Sequence, residues 1–154
     1  MQGNDRHVKH TLGLFGAACA ALYTTAAAAG SLSVTVSGIQ PNGTSVMVAI
    51  CTESLEPEGC RYGDRKTASS GTLRFSFPDL PPGRYAVAAF QDLNGSGSLE
   101  RTKLGLPMEP YALSNDAGRS RKPNFELAAF TLGNGNRDLS LRLQTIAHRT
   151  GAQE

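Results

Sequence analysis

The sequence predicts an all-β domain, an immunoglobulin-like β-sandwich of six to seven short strands with one long loop segment. Three observations predict it. Apolar residues recur at every second position in separate short runs, the spacing that puts side chains on one face of a strand. Clusters of Pro, Gly, Asn and Asp divide those runs, and such residues impose or tolerate turn geometry. Beyond the N-terminal region no long stretch carries a helical period. Many short strands with turns between them favour two packed sheets.

Residues 1–29 read as a secretory signal peptide. Arg6 and Lys9 give a positive start, Leu12 to Tyr23 is apolar and small, and Ala27-x-Ala29 offers a cleavage site before Gly30. The apolar run is short of the about 20 residues that a membrane span needs. A lipoprotein variant would use Cys19, but Gly16 stands where a lipobox prefers a branched apolar residue. The expectation is therefore a periplasmic or secreted protein with no stable membrane span after cleavage. Residues 30–146 form the β-sandwich domain, and residues 147–154 a flexible, unpatterned tail.

Removing Arg6, Lys9 and Asp5 brings the formal charge of +2 closer to zero. Nucleic-acid binding needs a concentrated basic footprint. The cluster Arg119-Ser-Arg121-Lys122 is short and carries no aromatic residue, so it reads as a solvated loop. Cys51 and Cys60 remain, flanking a polar loop with Pro57 and Gly59. In an exported chain that spacing predicts a structural disulfide. It differs from the C-x-x-C of redox or zinc pairs, and no histidine lies nearby.

The strands follow in order. Leu32, Val34 and Val36 alternate with Ser and Thr, giving one apolar face. Val46, Val48 and Ile50 interleave with Met47, Ala49 and Cys51, giving a central strand buried on both sides. Leu73, Phe75 and Phe77 alternate with Thr72, Arg74 and Ser76. Tyr85, Val87 and Ala89 interleave with Ala86, Ala88 and Phe90, a second central strand. Phe125, Leu127 and Ala129 lead into Phe130 and Leu132, and Leu139, Leu141 and Leu143 close the series.

From Gln91 to Pro123 no clear strand stands out, Pro110 to Leu113 being the nearest to one. Loops of this length in a compact domain are usually functional or disordered. Leu104, Leu106, Pro107, Met108, Tyr111 and Leu113 are too many apolar groups for a solvated linker, so the segment should pack over one end or edge of the sandwich. It is the first place to look for a site.

At these residues the chain resembles an exported bacterial family, the domain of unknown function 2141 family. The resemblance rests on Leu80-Pro-Pro-Gly83-x-Tyr85, then Asp92-x-Asn94-Gly-x-Gly97-x-Leu99, then Gly105-x-Pro107-x-Glu109-x-Tyr111-x-x-Ser114-Asn115, and Pro123-x-Phe125-Glu-x-Ala128-x-Phe130. It covers roughly residues 32–143 and implies an extracytoplasmic sandwich of transthyretin-like shape. It brings no activity with it. The family pattern has Asn before the loop glycine and Asp after its leucine. Here Ser96 and Glu100 stand there, which weakens a cation site carried over from the family.

The loop has two readings. As an EF-hand-like calcium site it would use Asp92, Asn94, Ser96, the Ser98 carbonyl and Glu100, with Gly97 at the sharp turn. Lys103, however, stands where a bidentate carboxylate belongs. As an Asx-type turn, Asp92 and Asn94 would instead accept backbone N–H bonds.

Catalytic machinery is sparse. After the signal only His148 is left, near the tail, which leaves a catalytic triad or a histidine-rich metal site without its imidazoles. The chain has no Trp and 6% aromatic residues, a poor sugar-stacking platform. The expectation is a non-enzymatic binding or structural protein of the cell envelope that uses residues 92–115 to meet an unknown protein or envelope partner. The alternatives are a calcium-dependent module for polysaccharide or protein, and a small hydrolase using Asp92 and Glu109.

Overall fold

The alternation of Leu32, Val34 and Val36 with hydroxyl residues is carried by β1 (Gly30–Ser37), whose apolar side chains are fully buried while the others stay partly exposed. In this computed structural model, which describes residues 29–118 and 122–145, β1 is the middle of a three-stranded sheet. It runs antiparallel to β4 (Thr72–Leu80) and parallel to β8 (Asn136–Arg142). The second sheet has the order β3 (Cys60–Thr67), β2 (Ser45–Cys51), β5 (Gly83–Asp92), β6 (Tyr111–Leu113), with β7 (Phe130–Leu132) also pairing with β5.

Both sheets bury one face in a shared core. Leu32, Val34, Val36 and Phe75 come from the first, and Val46, Val48, Ile50 and Val87 from the second. Full burial of each such side chain stabilises by about 1.5–3 kcal/mol. The opposite face of β2 and β5 is covered in part. A smaller cluster of Cys51, Ala86 and Ala128, with Phe125 and Leu55 beside it, packs there.

Two features of the sequence acquire a structural cause. Cys51 and Cys60 face each other in the β2–β3 register and are joined by a disulfide with an S–S distance of 2.00 Å. In Leu80-Pro-Pro-Gly83-x-Tyr85, the Tyr85 hydroxyl donates 2.6 Å back to the Pro81 carbonyl. This is the tyrosine-corner geometry of sandwich folds. A side chain at Gly83 would meet the Tyr85 ring, its Cβ lying 3.5 Å from Cε2. Burial, and secondarily Tyr62, pushes the Tyr85 phenol above its ordinary value.

The sandwich agrees with the predicted fold class, and its elements differ from expectation in two places. The described residues form eight strands, because β3 has no apolar alternation to announce it. It is an edge strand, and Arg61, Asp64, Arg65 and Lys66 are the charged residues that discourage pairing with another chain. Residues Phe125–Ala128, read as the start of a strand, form a short helix, α1. The Asn124 side chain accepts a 3.0 Å bond from the Leu127 N–H, and this cap outweighs the alternation of Phe125, Leu127 and Ala129. The expected signal peptide lies outside the described residues except for Ala29, and the expected tail lies wholly outside them. Among the described residues no helix is long and apolar enough to cross a membrane.

Candidate functional site

β5 ends in Asp92, on the face of the sheet away from the main core, and there the chain leaves the sheet. Asp92 is only 2% exposed. Its Oδ1 accepts from the backbone N–H groups of Gly95 at 2.8 Å and Ser96 at 3.0 Å, and its Oδ2 from that of Gly97 at 2.9 Å. Gly95 and Gly97 have φ of +76° and +79°, a region that glycine enters without strain. Asn94 Oδ1 accepts the same Ser96 N–H at 3.0 Å, and its Nδ2 donates to Glu100 Oε2 at 2.8 Å. The Ser96 hydroxyl donates to the Ser98 carbonyl at 3.0 Å.

A second carboxylate holds the loop at both of its ends. Glu109 is 4% exposed, and its Oε1 accepts from the Leu93 N–H at 2.8 Å. Its Oε2 lies 3.5 Å from the Glu100 amide nitrogen, which donates to it. Among the described residues neither Asp92 nor Glu109 forms an ion pair. Amide dipoles take the place of a counter-ion, an arrangement that satisfies a buried carboxylate.

Between these two acids rises a hairpin that the sequence did not announce. The Met108 N–H donates to the Glu100 carbonyl, the Thr102 N–H to the Leu106 carbonyl and the Gly105 N–H to the Thr102 carbonyl, each at 2.8 Å. Arg101 and Pro107 form the bridge between its arms. Gly105, at φ +78°, completes a three-residue hairpin loop with glycine in its left-handed position. Leu104 at the tip is 86% exposed, Met108 58% and Leu106 45%. Leu93 is exposed as well, and Tyr62 is the only other large apolar side chain exposed among the described residues.

This corrects one expectation. Pro107, Pro110, Ala112 and Leu113 do pack inward, but Leu104, Leu106 and Met108 do not cover an end of the sandwich. The hairpin satisfies its own backbone, so nothing forces its tip onto the core.

The remaining motif residues are fasteners. The buried Ser114 hydroxyl donates to the Ala128 carbonyl at 2.6 Å and accepts the Val87 N–H at 2.9 Å. Asn115 Nδ2 reaches the carbonyls of Ala128 at 3.2 Å and Ala129 at 2.9 Å, tying this turn to the end of α1. On the other side of α1, Arg84 pairs with Glu126 at 2.7 Å; their hydrogen bond holds the Glu126 carboxyl below its ordinary value and raises the Arg84 guanidinium. Gln91, also fully buried, donates to the Gln40 carbonyl at 2.7 Å and to Thr44 Oγ1 at 2.9 Å, clamping the turn before β2.

For chemistry the arrangement offers little that is uncommitted. Of the predicted calcium ligands Asp92, Asn94, Ser96, Ser98 and Glu100, the structure brings all five into one loop, where each takes part in the hydrogen bonding of the turn. Among the described residues no group of three or more His, Cys, Asp and Glu side chains converges as a metal centre. The described residues contain no histidine.

A family model described as "Uncharacterized protein conserved in bacteria (DUF2141)" matches residues 34–140, from β1 into β8. Neither the curated proteins nor the solved structures include a match. The motif residues that pin the loop, the tyrosine corner and the Ser114-Asn115 fastener all lie inside the matched region, which spans well over half of the sequence; the chain belongs to the DUF2141 family.

Proposed function

We propose that this protein is an exported, non-enzymatic binding module of the cell envelope, with residues 93–108 as the surface that meets its partner. One observation carries the proposal. Of the five large apolar side chains exposed among the described residues, all but Tyr62 sit on this segment: Leu93, Leu104, Leu106 and Met108. Exposed apolar groups concentrated on one short segment are a feature of interaction sites. The segment is also pre-organised, because Asp92 and Glu109 fix its base through backbone amides. A loop already held in shape loses less freedom on binding.

The Cys51–Cys60 disulfide supports the exported, periplasmic or secreted placement, since such bonds persist in oxidising compartments. The non-enzymatic reading is supported by how the two buried acids are used. Asp92 and Glu109, the pair a carboxylate-dependent hydrolase would need, both spend their oxygens on amides of their own loop. The same bonds make calcium unnecessary for the loop's stiffness, so the proposed partner binding is independent of it.

A photo-crosslinking residue placed in turn at Leu104, Met108 and Arg74 tests the reading in living cells. Arg74 lies on β4, an edge strand of the other sheet. Adducts to envelope material from positions 104 and 108 and none from 74 are expected. No adduct from 104 and 108, or equal yields from 74, would overturn the assignment of the surface.

A further inference from the structure

The chemistry of the hairpin tip specifies its partner. Leu104 projects from the turn with Arg101 and Lys103 beside it, both exposed. Arg101 is held across the turn, its Nη1 donating to the Gly105 carbonyl at 3.3 Å. The acids near the base are engaged elsewhere: Glu100 accepts from Asn94, and Asp92 and Glu109 are buried among amides. Exposed charge on residues 101–108 is cationic only, and it sits on the same short hairpin as the exposed Leu104, Leu106 and Met108.

We propose that this tip inserts into an anionic lipid surface. The proposal rests on the reading of residues 93–108 as the binding surface and names its partner. Shape favours lipid over protein. A stable protein interface takes about 800 Å² from each side, some 20–30 residues. The hairpin exposes only residues 101–106 and 108, its Pro107 being buried. Lipid needs no complementary pocket. Apolar side chains enter the boundary of the acyl region while Lys and Arg keep their charges among the headgroups, with their aliphatic stems spanning the border. Each such cation near an anionic leaflet strengthens binding about fivefold. Because the turn is fixed by Thr102 and Gly105, the side chains are presented without a folding step.

The chain has no Trp, so Leu104→Trp places a single indole at the tip. Its fluorescence reports insertion of the tip itself, whatever the N-terminal segment does. The probes are vesicles of phosphatidylcholine alone, vesicles of phosphatidylcholine mixed with phosphatidylglycerol, and the mixed vesicles with brominated acyl chains. A blue shift on the mixed vesicles and quenching by the brominated ones are expected. Adding Lys103→Gln should weaken the binding about fivefold, whereas Arg74→Gln should leave it unchanged. No shift on the mixed vesicles, or the same shift on neutral ones, overturns the proposal. The crosslinker at position 104 separates this failure from that of the wider reading. Adducts to protein would overturn lipid as the partner and leave the binding surface standing; no adducts at all would remove both.

Discussion

Asp92 and Glu109 hold one loop between them, Asp92 through the amides of Gly95, Ser96 and Gly97 in its middle, Glu109 through those of Leu93 and Glu100 at its two ends. Neither residue faces a cation among the described residues, and both are nearly inaccessible. Burying a carboxylate is expensive unless hydrogen bonds meet it. Here the amides that stabilise the carboxylates are the same amides that define the loop, so shape and charge are solved together.

Asp92→Ala should therefore lower stability by about 2–3 kcal/mol, because it strands backbone donors that a charged acceptor had satisfied. Urea melts with chelator and with calcium should show the same loss. A loss that shrinks in chelator would mean the carboxylate also serves a bound cation. Glu109→Gln should cost less, since an amide oxygen can still accept from Leu93.

The tyrosine corner gives a prediction in pH. The Tyr85 phenol is raised above its ordinary value, chiefly by burial. A group of this kind contributes stability that is fully present below the unfolded value of about 10. That contribution is lost as pH rises through the higher folded value. Wild-type stability should therefore fall along an alkaline limb that Tyr85→Phe lacks. At neutral pH the variant should be weaker by about 1 kcal/mol, the net worth of its bond to Pro81. Identical alkaline limbs in chemical denaturation would count against the assignment.

The sequence was most legible where burial and period coincide. β1, β2, β4, β5 and β8 announce themselves because a core face must be apolar at every second residue. β3 gives no such signal: it lies at an edge, and its residues Arg61 to Lys66 answer to solvent and to the need to avoid further pairing. α1 reads as a strand in sequence because Phe125, Leu127 and Ala129 alternate, while the deciding contact is local, from Asn124. At the site, Asp92 and Asn94 were recognisable as turn-forming residues from their spacing alone. The partnership with Glu109 was not, since it depends on the hairpin that brings the chain back. Thr102 and Gly105 carried a faint signal for that hairpin, obscured by the prolines around it.

The disulfide joins strands that are already paired, so its removal should loosen the β2–β3 end without abolishing the sandwich. The double variant Cys51→Ala/Cys60→Ala should lose about 2–3 kcal/mol, as expected for closing a loop of this length. Thiol labelling of denatured, unreduced protein, mapped by peptide, should leave both positions unmodified. Labelling at both would show that the bond does not form in the folded protein.

Leu104→Ser should leave folding stability unchanged within about 0.5 kcal/mol, the usual range for surface substitutions away from special features. The reason is positional: a side chain 86% exposed contributes almost no burial to the folded state. Gly105→Ala, one residue on, makes the contrast. Its φ of +78° is unfavourable for alanine, and nothing lies within 4 Å to be displaced, so the expected loss of about 1 kcal/mol is purely conformational. Paired thermal melts of the two variants thus separate the turn, which folding requires, from the leucine it displays, which folding does not. A clear destabilisation by Leu104→Ser would mean that the leucine packs in the folded state and that its exposure cannot be explained by recognition. Equal stability with the wild type leaves the leucine without a structural task, as the proposed recognition role requires.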